Sequence, residues 1–322
     1  MTVADPHEGP ILVGISSCLL GAKVRYDGGH KRDNYITDIL GQHFTFISVC
    51  PELEVGMGVP REPVRLVGRA EAPRMLGHKT GADWTDSMNR YAARRVRQSD
   101  LAPICGYILK KDSPSCGMER VKVYNEEGMP SKLGRGLFAQ ALMEHFPLLP
   151  IEEEGRLNDA RLRENFIVRV FAFHRLRRLF SERFSLGRLV RFHTANKYLL
   201  LAHSPDHYKR LGQLVARAKR EPPTVLRETY SRLFMEALAV RTTPRKNANV
   251  LLHILGFLKE HLGTLEKQDI LAVIEDYRRG LLPLAVPLTL LKHYVNKHEV
   301  AFIQDQIYLN PHPKELMLRH HV

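Results

Sequence analysis

Three cysteines, Cys18, Cys50 and Cys116, each come shortly after an apolar segment with the composition of a β-strand. In a parallel α/β sheet the loops beyond the carboxyl ends of the strands form the ligand crevice, so thiols far apart in sequence can meet there. The fourth cysteine, Cys105, lies inside an apolar segment, where a free cysteine packs like a small hydrophobe. The pattern predicts a three-thiol site at one edge of a sheet, with unrelated buried cysteines as the alternative.

Three thiolates in one crevice suit a catalytic metal better than a structural one. Structural zinc takes four ligands, often from close C-x-x-C pairs, which this sequence lacks, whereas catalytic zinc uses three and leaves one position open. A 4Fe-4S cluster is usually bound by four cysteines, so three would leave one iron free to bind a substrate atom. Spacing alone leaves both groups open.

Several sequence blocks resemble the signature of the thiouracil desulfidase family. They are 17–21 (SCLLG), 24–28 (VRYDG), 50–52 (CPE), 56–61 (GMGVPR) and 110–117 (KKDSPSCG), in order within the first 150 residues. Residues 156–322 resemble the helical module of the two-domain members, which act as tRNA 4-thiouridine desulfidases. The clearest segment of that module is 191–203.

The resemblance implies a cofactor and a reaction. Cys18, Cys50 and Cys116 would bind a 4Fe-4S cluster, and the iron without a cysteine would take the sulfur of the thiolated base. The cluster would act as a Lewis acid, so that water adds at the thiocarbonyl carbon and sulfur leaves as hydrogen sulfide. The product would be uridine, with no net redox change.

Four more residues are candidates for the chemistry or for substrate contact. Glu52, two residues beyond a predicted ligand, could move the proton of the attacking water or of the departing sulfur, or could instead cap a helix. Ser113 could hold the base or the water, although Ser-Pro is also ordinary turn chemistry. Arg25 and Asp27 could contact the uracil edge, with a simple turn as the alternative.

The elements that must position these residues form two domains. Apolar segments at 11–15, 45–49 and 104–109 predict strands, and 86–98 and 137–145 have helical periodicity. This alternation predicts an α/β domain with a mostly parallel sheet over residues 1–155, followed by an all-α domain over 156–322. In the second domain, further helices are predicted at 189–202, 207–219, 224–240, 247–261 and 265–279.

The positive charge lies almost entirely in the second domain. Residues 1–155 contain 19 basic residues (Lys and Arg) and 20 acidic residues (Asp and Glu). Residues 156–322 contain 29 basic and 15 acidic residues. Such a basic surface favours binding of a polyphosphate such as tRNA, because binding releases the counterions of the phosphates. The alternative is a basic surface that is only solvated. The candidate RNA-binding arginines, taken as a group, are Arg161, Arg163, Arg169, Arg177, Arg178, Arg188 and Arg191.

Other classes of protein are disfavoured. The longest apolar run, 281–291, is far shorter than the roughly 20 residues of a membrane-spanning helix and contains two prolines. No charged leader with a cleavage site begins the sequence, so we expect a cytoplasmic protein that acts without a membrane. The oligomeric state is not predicted.

Three functions follow, in order of preference. The first is a 4Fe-4S-dependent desulfidase that converts 4-thiouridine in tRNA to uridine. The second is a desulfidase for free thiouracil, thiouridine or another small thiolated pyrimidine. The third is a non-catalytic metal- or redox-sensing protein that binds nucleic acid, which three cysteines beside a carboxylate argue against.

Overall fold

The computed structural model describes residues 9–181 and 184–321. The chain divides into two compact units, one ending at Asp159 and the other beginning at Ala160. The first unit is α/β with a parallel sheet and the second is helical, which confirms the predicted fold class. In the described part of the chain, no helix combines the length and the apolar character needed to cross a membrane.

The strands of the first unit form two four-stranded sheets. In chain order they are β1 Ile11–Ser16, β2 Phe44–Val49, β3 Val64–Arg69, β4 Ala72–Gly77, β5 Gly106–Leu109, β6 Val121–Tyr124, β7 Pro130–Gly134 and β8 Ile151–Glu153. One sheet has the order β2-β1-β5-β8 and is parallel throughout. The other has the order β4-β3-β6-β7, with antiparallel outer pairs and a parallel central pair.

The parallel sheet contains the three predicted strands. β1 is almost fully buried on both faces, as expected for an apolar strand covered on two sides. β5 begins at Gly106, two residues later than predicted, so Cys105 immediately precedes the strand. Gly14 of β1 is required by packing, because a Cβ there would lie 2.2 Å from the ring of the buried Tyr107. The second sheet was not predicted.

Among its described residues, the first unit has three α-helices. They are α1 Pro51–Glu54, α2 Thr85–Arg95 and α3 Leu137–His145. The structure confirms helices in the predicted segments 86–98 and 137–145, with the first ending three residues earlier. α1 is a single turn that begins directly after Cys50, with Pro51 at its first position, where the missing amide hydrogen costs nothing.

The second unit is built from helices. They are α4 Ala160–Ser181, α5 Leu186–Ala195, α6 Lys197–His203, α7 Pro205–Ala216, α8 Pro223–Ala239, α9 Pro244–Leu258, α10 Thr264–Arg278, α11 Ala285–Lys297 and α12 Ala301–Gln304. The prediction of one helix over 189–202 was wrong. The helix breaks at Asn196, whose buried amide donates to the Phe192 carbonyl 2.8 Å away. Asparagine bonds of this kind to the local backbone compete with helix continuation.

Candidate functional site

A cavity of about 350 Å³ lies at the carboxyl ends of three neighbouring strands of the parallel sheet, β2, β1 and β5. Cys18, Cys50 and Cys116 all line it. The parallel pairing of β1 with both neighbours brings the three strand ends to one edge, as expected for the ligand crevice of an α/β sheet. The structure therefore brings together the three thiols that the sequence singled out.

Local turns hold the first two thiols. Cys18 lies in a short 3₁₀ turn after β1, and the turn ends at Gly21, whose φ of 94° lies in the left-handed region that favours glycine. Cys50 is the residue that precedes α1, and its amide donates to Glu54 Oε1 at 3.1 Å. The thiol of Cys50 reaches the Val24 carbonyl at 3.8 Å, so the loop after Cys18 and the end of β2 meet.

The third thiol is held by the amino end of α3. The amides of Leu137 and Phe138 donate to the carbonyls of Pro114 and Ser115 at 3.1 and 3.0 Å. Helix amides that lack a partner inside the helix are thereby satisfied by the loop that carries Cys116. Gly136 allows this approach, because a Cβ there would lie 2.5 Å from the Ser115 carbonyl.

Burial raises the pKa of all three thiols. It raises the pKa of Cys18 to about 11, and the neighbouring Lys110 ammonium only partly opposes it. Burial also raises the pKa of Cys50, and it raises the pKa of Cys116 far above its usual range despite a hydrogen bond from Ser16. Without a bound cation the site holds thiols rather than thiolates at neutral pH. A metal group that binds here must therefore displace protons.

A carboxylate lies beside the thiols. Glu52 lines the cavity, and its Oε2 accepts from Arg61 Nη2 at 2.6 Å and Nε at 3.1 Å. Its Oε1 accepts from the Ser115 hydroxyl at 2.8 Å. Glu52 thus bonds side chains, and the reach back to the Cys50 amide at the start of α1 is made by Glu54 instead. Glu52 also lies in the first turn of α1, so its alternative role at the amino end of that helix stays a prediction.

The other candidates have different surroundings. Ser113 lines the cavity, and its hydroxyl oxygen accepts from the amides of Ser115 and Cys116, which is the turn role. Arg25 lines the cavity too, with its guanidinium 5.3 Å from the Tyr26 ring centroid. Asp27 lies outside the lining, in an exposed turn, where the Gly29 amide lowers its pKa. Its substrate contact remains a prediction.

Cys105 is separate from the cavity. Its side chain is 2% exposed, and its thiol lies 3.7 Å from the Pro103 carbonyl. Its amide donates to the Leu12 carbonyl at 2.7 Å, which extends the pairing with β1.

Over residues 9–181 and 184–321, no three Cys, His, Asp or Glu side chains converge on a point where one metal ion would sit.

The candidate RNA-binding arginines all lie on the first two helices of the second unit. Those on α4 are Arg161, Arg163, Arg169, Arg177 and Arg178, and those on α5 are Arg188 and Arg191. Arg161 and Arg191 are exposed, and the other five are half-buried. Arg175, on the same helix, is buried and donates to the Pro311 carbonyl at 3.0 Å, so it contributes to the fold.

Three residues of the site escaped the sequence reasoning. Arg61 and Ser115 fix the Glu52 carboxylate, and the Ser16 hydroxyl accepts from the Lys110 amide at 3.0 Å while it bonds the Cys116 thiol. Arg61 and Ser115 belong to blocks that resemble the family signature, which was the available signal. Ser16 carried no signal, because a serine near a strand end is common.

Comparison with known proteins identifies the family. Residues 13–154 match the 2-thiouracil desulfurase family, and residues 197–313 match DUF1722, a family of unknown function. The chain is 33% identical to YbgA of Escherichia coli K12 over 165 residues, which are 51% of this chain and 98% of YbgA. The chain belongs to the thiouracil desulfidase family and carries a DUF1722 region as its second part.

Two further proteins are similar to about half of this chain. YbbK of Bacillus subtilis 168 is 31% identical over 154 residues, covering 46% of this chain and 99% of YbbK. A solved structure described as a 4Fe-4S-dependent thiouracil desulfidase, TudS, is 29% identical, with a TM-score of 0.37. The likeness covers 47% of this chain and 95% of that one.

The raised pKa values predict slow alkylation of the metal-free thiols. With iodoacetamide, the rate at Cys18 should rise about tenfold per pH unit, since the thiolate fraction does so until the pH nears the pKa of about 11. Cys50, the most exposed of the four cysteines, should react first and Cys105 last. Mass spectrometry of each cysteine peptide against pH measures this. A rate at Cys18 that levels off below pH 9 would contradict the burial of that thiol.

Proposed function

We propose that this protein is an iron-sulfur-dependent desulfidase that converts 4-thiouridine in tRNA to uridine with release of hydrogen sulfide. The observation that carries the proposal is the cavity that Cys18, Cys50 and Cys116 line together with the Glu52 carboxylate. Residues 1–155 would form the catalytic domain and residues 156–322 a basic tRNA-binding domain. Membership of the thiouracil desulfidase family supports the reaction class.

The donor set fits a 4Fe-4S cluster. Cys18, Cys50 and Cys116 would be its ligands, and three thiolates leave one iron without a protein ligand. The thiols surround a cavity of about 350 Å³, which suits a group of several atoms better than a point charge. When bound, the cluster would supply a Lewis-acidic iron for the thiocarbonyl sulfur, which polarises the carbon-sulfur bond.

Glu52 has the surroundings of a proton-transfer group. The reaction replaces the C=S bond by C=O, consumes one water and releases one hydrogen sulfide, so two protons must pass from oxygen to sulfur. As a carboxylate held by Arg61 and Ser115, Glu52 can accept a proton from the water and return it to the departing sulfur. The arginine holds the carboxylate in the cavity.

The base would be positioned by the cavity rim. The Ser113 oxygen is occupied by two backbone amides, which leaves its hydroxyl hydrogen to donate to the base or the water. Arg25, stacked near Tyr26, can donate to a pyrimidine oxygen. Asp27 lies outside the cavity lining, so it is the weakest of the four candidates.

The preference for tRNA over a free pyrimidine rests on charge. The excess of basic residues lies in the second half of the sequence, and α4 and α5 carry the candidate arginines. A thiolated base in folded tRNA must leave its stack, which costs a few kcal/mol that phosphate contacts can offset. A free base needs no such contacts, and in the small-molecule alternative the helical domain would serve only as a lid or a dimer contact.

The cysteine assignments predict two classes of variant. Cys18→Ala, Cys50→Ala and Cys116→Ala should each lose both the brown colour after anaerobic reconstitution and the activity, because each removes a ligand. Cys105→Ala should keep both, since its thiol lies outside the cavity. Iron and sulfide content and loss of the near-ultraviolet thiocarbonyl absorbance of tRNA are the measurements. Loss of the cluster in Cys105→Ala, or its retention in the other three, would refute the assignment.

Removing the charge of Glu52 should separate chemistry from cofactor binding. Glu52→Gln should keep the cluster but lower kcat by roughly a hundredfold, as is typical for a lost acid-base group. Glu152→Gln is the matched control, because Glu152 also bonds an arginine, Arg156, and lies outside the cavity. Steady-state assays of reconstituted protein at saturating substrate measure kcat. Similar rates for both variants would remove Glu52 from the mechanism.

Charge reversal should separate the two substrate classes. Arg177→Glu, Arg188→Glu and Arg191→Glu together should raise KM for tRNA at least about tenfold and weaken its salt dependence, while leaving turnover of free 4-thiouracil unchanged. The matched control reverses three arginines of the first unit, Arg69, Arg90 and Arg94. Equal loss on both substrates would argue against tRNA binding by α4 and α5. Turnover of 4-thiouracil alone would favour the small-molecule desulfidase.

A further inference from the structure

The second unit contains a cavity of its own, with a volume of about 520 Å³. This lies within the range of roughly 300–1,000 Å³ that small-molecule sites occupy. The cavity is lined by residues of α4, α6, α9 and α10, by the segment that precedes α9, and by residues near the end of the chain. None of the predicted site residues lines it except Arg161. The proposed desulfidase reaction does not use it.

The buried side of this cavity presents a hydrogen-bond donor. The Tyr308 hydroxyl donates to Asn247 Oδ1 at 3.0 Å, and Asn247 Nδ2 donates to the Tyr277 hydroxyl at 3.0 Å. Each of the three residues is more than nine-tenths buried. Because Tyr277 accepts in this chain, its own hydroxyl hydrogen is left to donate, and no residue in the described part of the protein accepts it. Such a buried donor needs a ligand or a water.

The same cavity presents an acceptor. His203 is 3% exposed, and its Nδ1 lies 2.7 Å from the Val240 carbonyl. A carbonyl can only accept, so Nδ1 carries the hydrogen. Burial lowers the pKa of His203 to about 4, so the ring is neutral at pH 7 and Nε2 is an acceptor. No donor to Nε2 is present among residues 9–181 and 184–321.

Cationic groups line the remaining wall. Arg161 and Arg241 are exposed at the rim, and Arg319 is nine-tenths buried. Glu164, the one carboxylate among the described residues of the lining, lies 3.4 Å from Arg319 Nε and 3.5 Å from His321 Nε2. Arg241 and Arg319 therefore place guanidinium groups on this wall, and such groups favour an anion. Arginine is also well matched to phosphate, because its planar fork can donate two parallel hydrogen bonds.

We propose that this cavity binds one nucleotide, with the phosphate at the arginine rim and the base toward Tyr277 and His203. A nucleobase edge carries both donors and acceptors, so it can satisfy the Tyr277 hydroxyl and His203 Nε2 together. Apolar side chains that line the cavity, among them Val168, Leu199 and Leu284, suit the faces of a base. The nucleotide is either a free monophosphate or one residue of an RNA chain.

Binding of nucleoside monophosphates to the full-length protein tests the proposal without use of the desulfidase reaction. Isothermal titration with UMP, AMP and inorganic phosphate should give saturable binding of at least one nucleotide, and weaker binding of phosphate alone. Arg241→Gln removes a rim charge, and Tyr277→Phe removes only the hydroxyl. Each should weaken nucleotide binding about tenfold, the loss expected for one hydrogen bond to a charged or buried group.

Arg210→Gln is the matched control, because Arg210 is an exposed arginine of α7 that lies outside the cavity lining. It should bind nucleotide as the unchanged protein does, and equal thermal unfolding of all variants would exclude loss of the fold. Competition by a short oligoribonucleotide assigns the site to RNA, and lack of competition assigns it to a free nucleotide. No nucleotide binding, equal binding of phosphate, or equal loss in Arg210→Gln would overturn the proposal.

Discussion

The parallel pairing of β1 with β2 and β5 is the constraint on which the first unit depends. In a parallel sheet neighbouring strands end at the same edge, and here that edge receives Cys18, Cys50 and Cys116 from three separate parts of the chain. β1 and β5 are buried along nearly their whole length, whereas β2 is buried at both ends and half-buried or exposed between them. The pairing of the three strands therefore determines where the turns that carry the thiols begin.

The loops that carry the three thiols contain polar groups whose burial costs free energy. Hydrogen bonds within the protein stabilise these loops. The amides at the start of α3 are paired with the carbonyls of the Cys116 loop, and Glu52 is held from two sides by Arg61 and Ser115. Unpaired buried polar groups cost more than paired ones gain, so these bonds keep the loops in one arrangement. Rigid loops are what a site needs if a bound group and a proton-transfer carboxylate must keep a fixed distance.

The cavity of the second unit contains buried polar groups that are not fully hydrogen-bonded within the described protein. The chain from Tyr308 through Asn247 to Tyr277 ends on a hydroxyl hydrogen that the described residues do not accept, and His203 offers an acceptor in the same cavity. At the cavity of the first unit, the Glu52 carboxylate and the amides at the start of α3 are paired within the protein. Open hydrogen-bonding capacity in a cavity with arginines at its rim is typical of a ligand site rather than of a packed core.

The sequence by itself determined the features that depend on local composition and spacing. Apolar runs predicted the strands that precede the cysteines, helical periodicity predicted most of the second unit, and the blocks around Cys18, Cys50 and Cys116 indicated the family. The strands and helices can be predicted because the apolar residues of a buried strand or helix face recur every few residues along the sequence.

Only the tertiary structure decided the contacts between distant segments. Ser115 reaches Glu52 across 63 residues, Ser16 bonds Cys116, and the second cavity joins residues from Arg161 to His321. The second sheet and the break at Asn196 were also missed, because the strands there are half exposed and the break depends on one side-chain bond. The number of residues between two loops does not determine how far apart they lie in the folded protein. That distance is set by how the strands and helices pack.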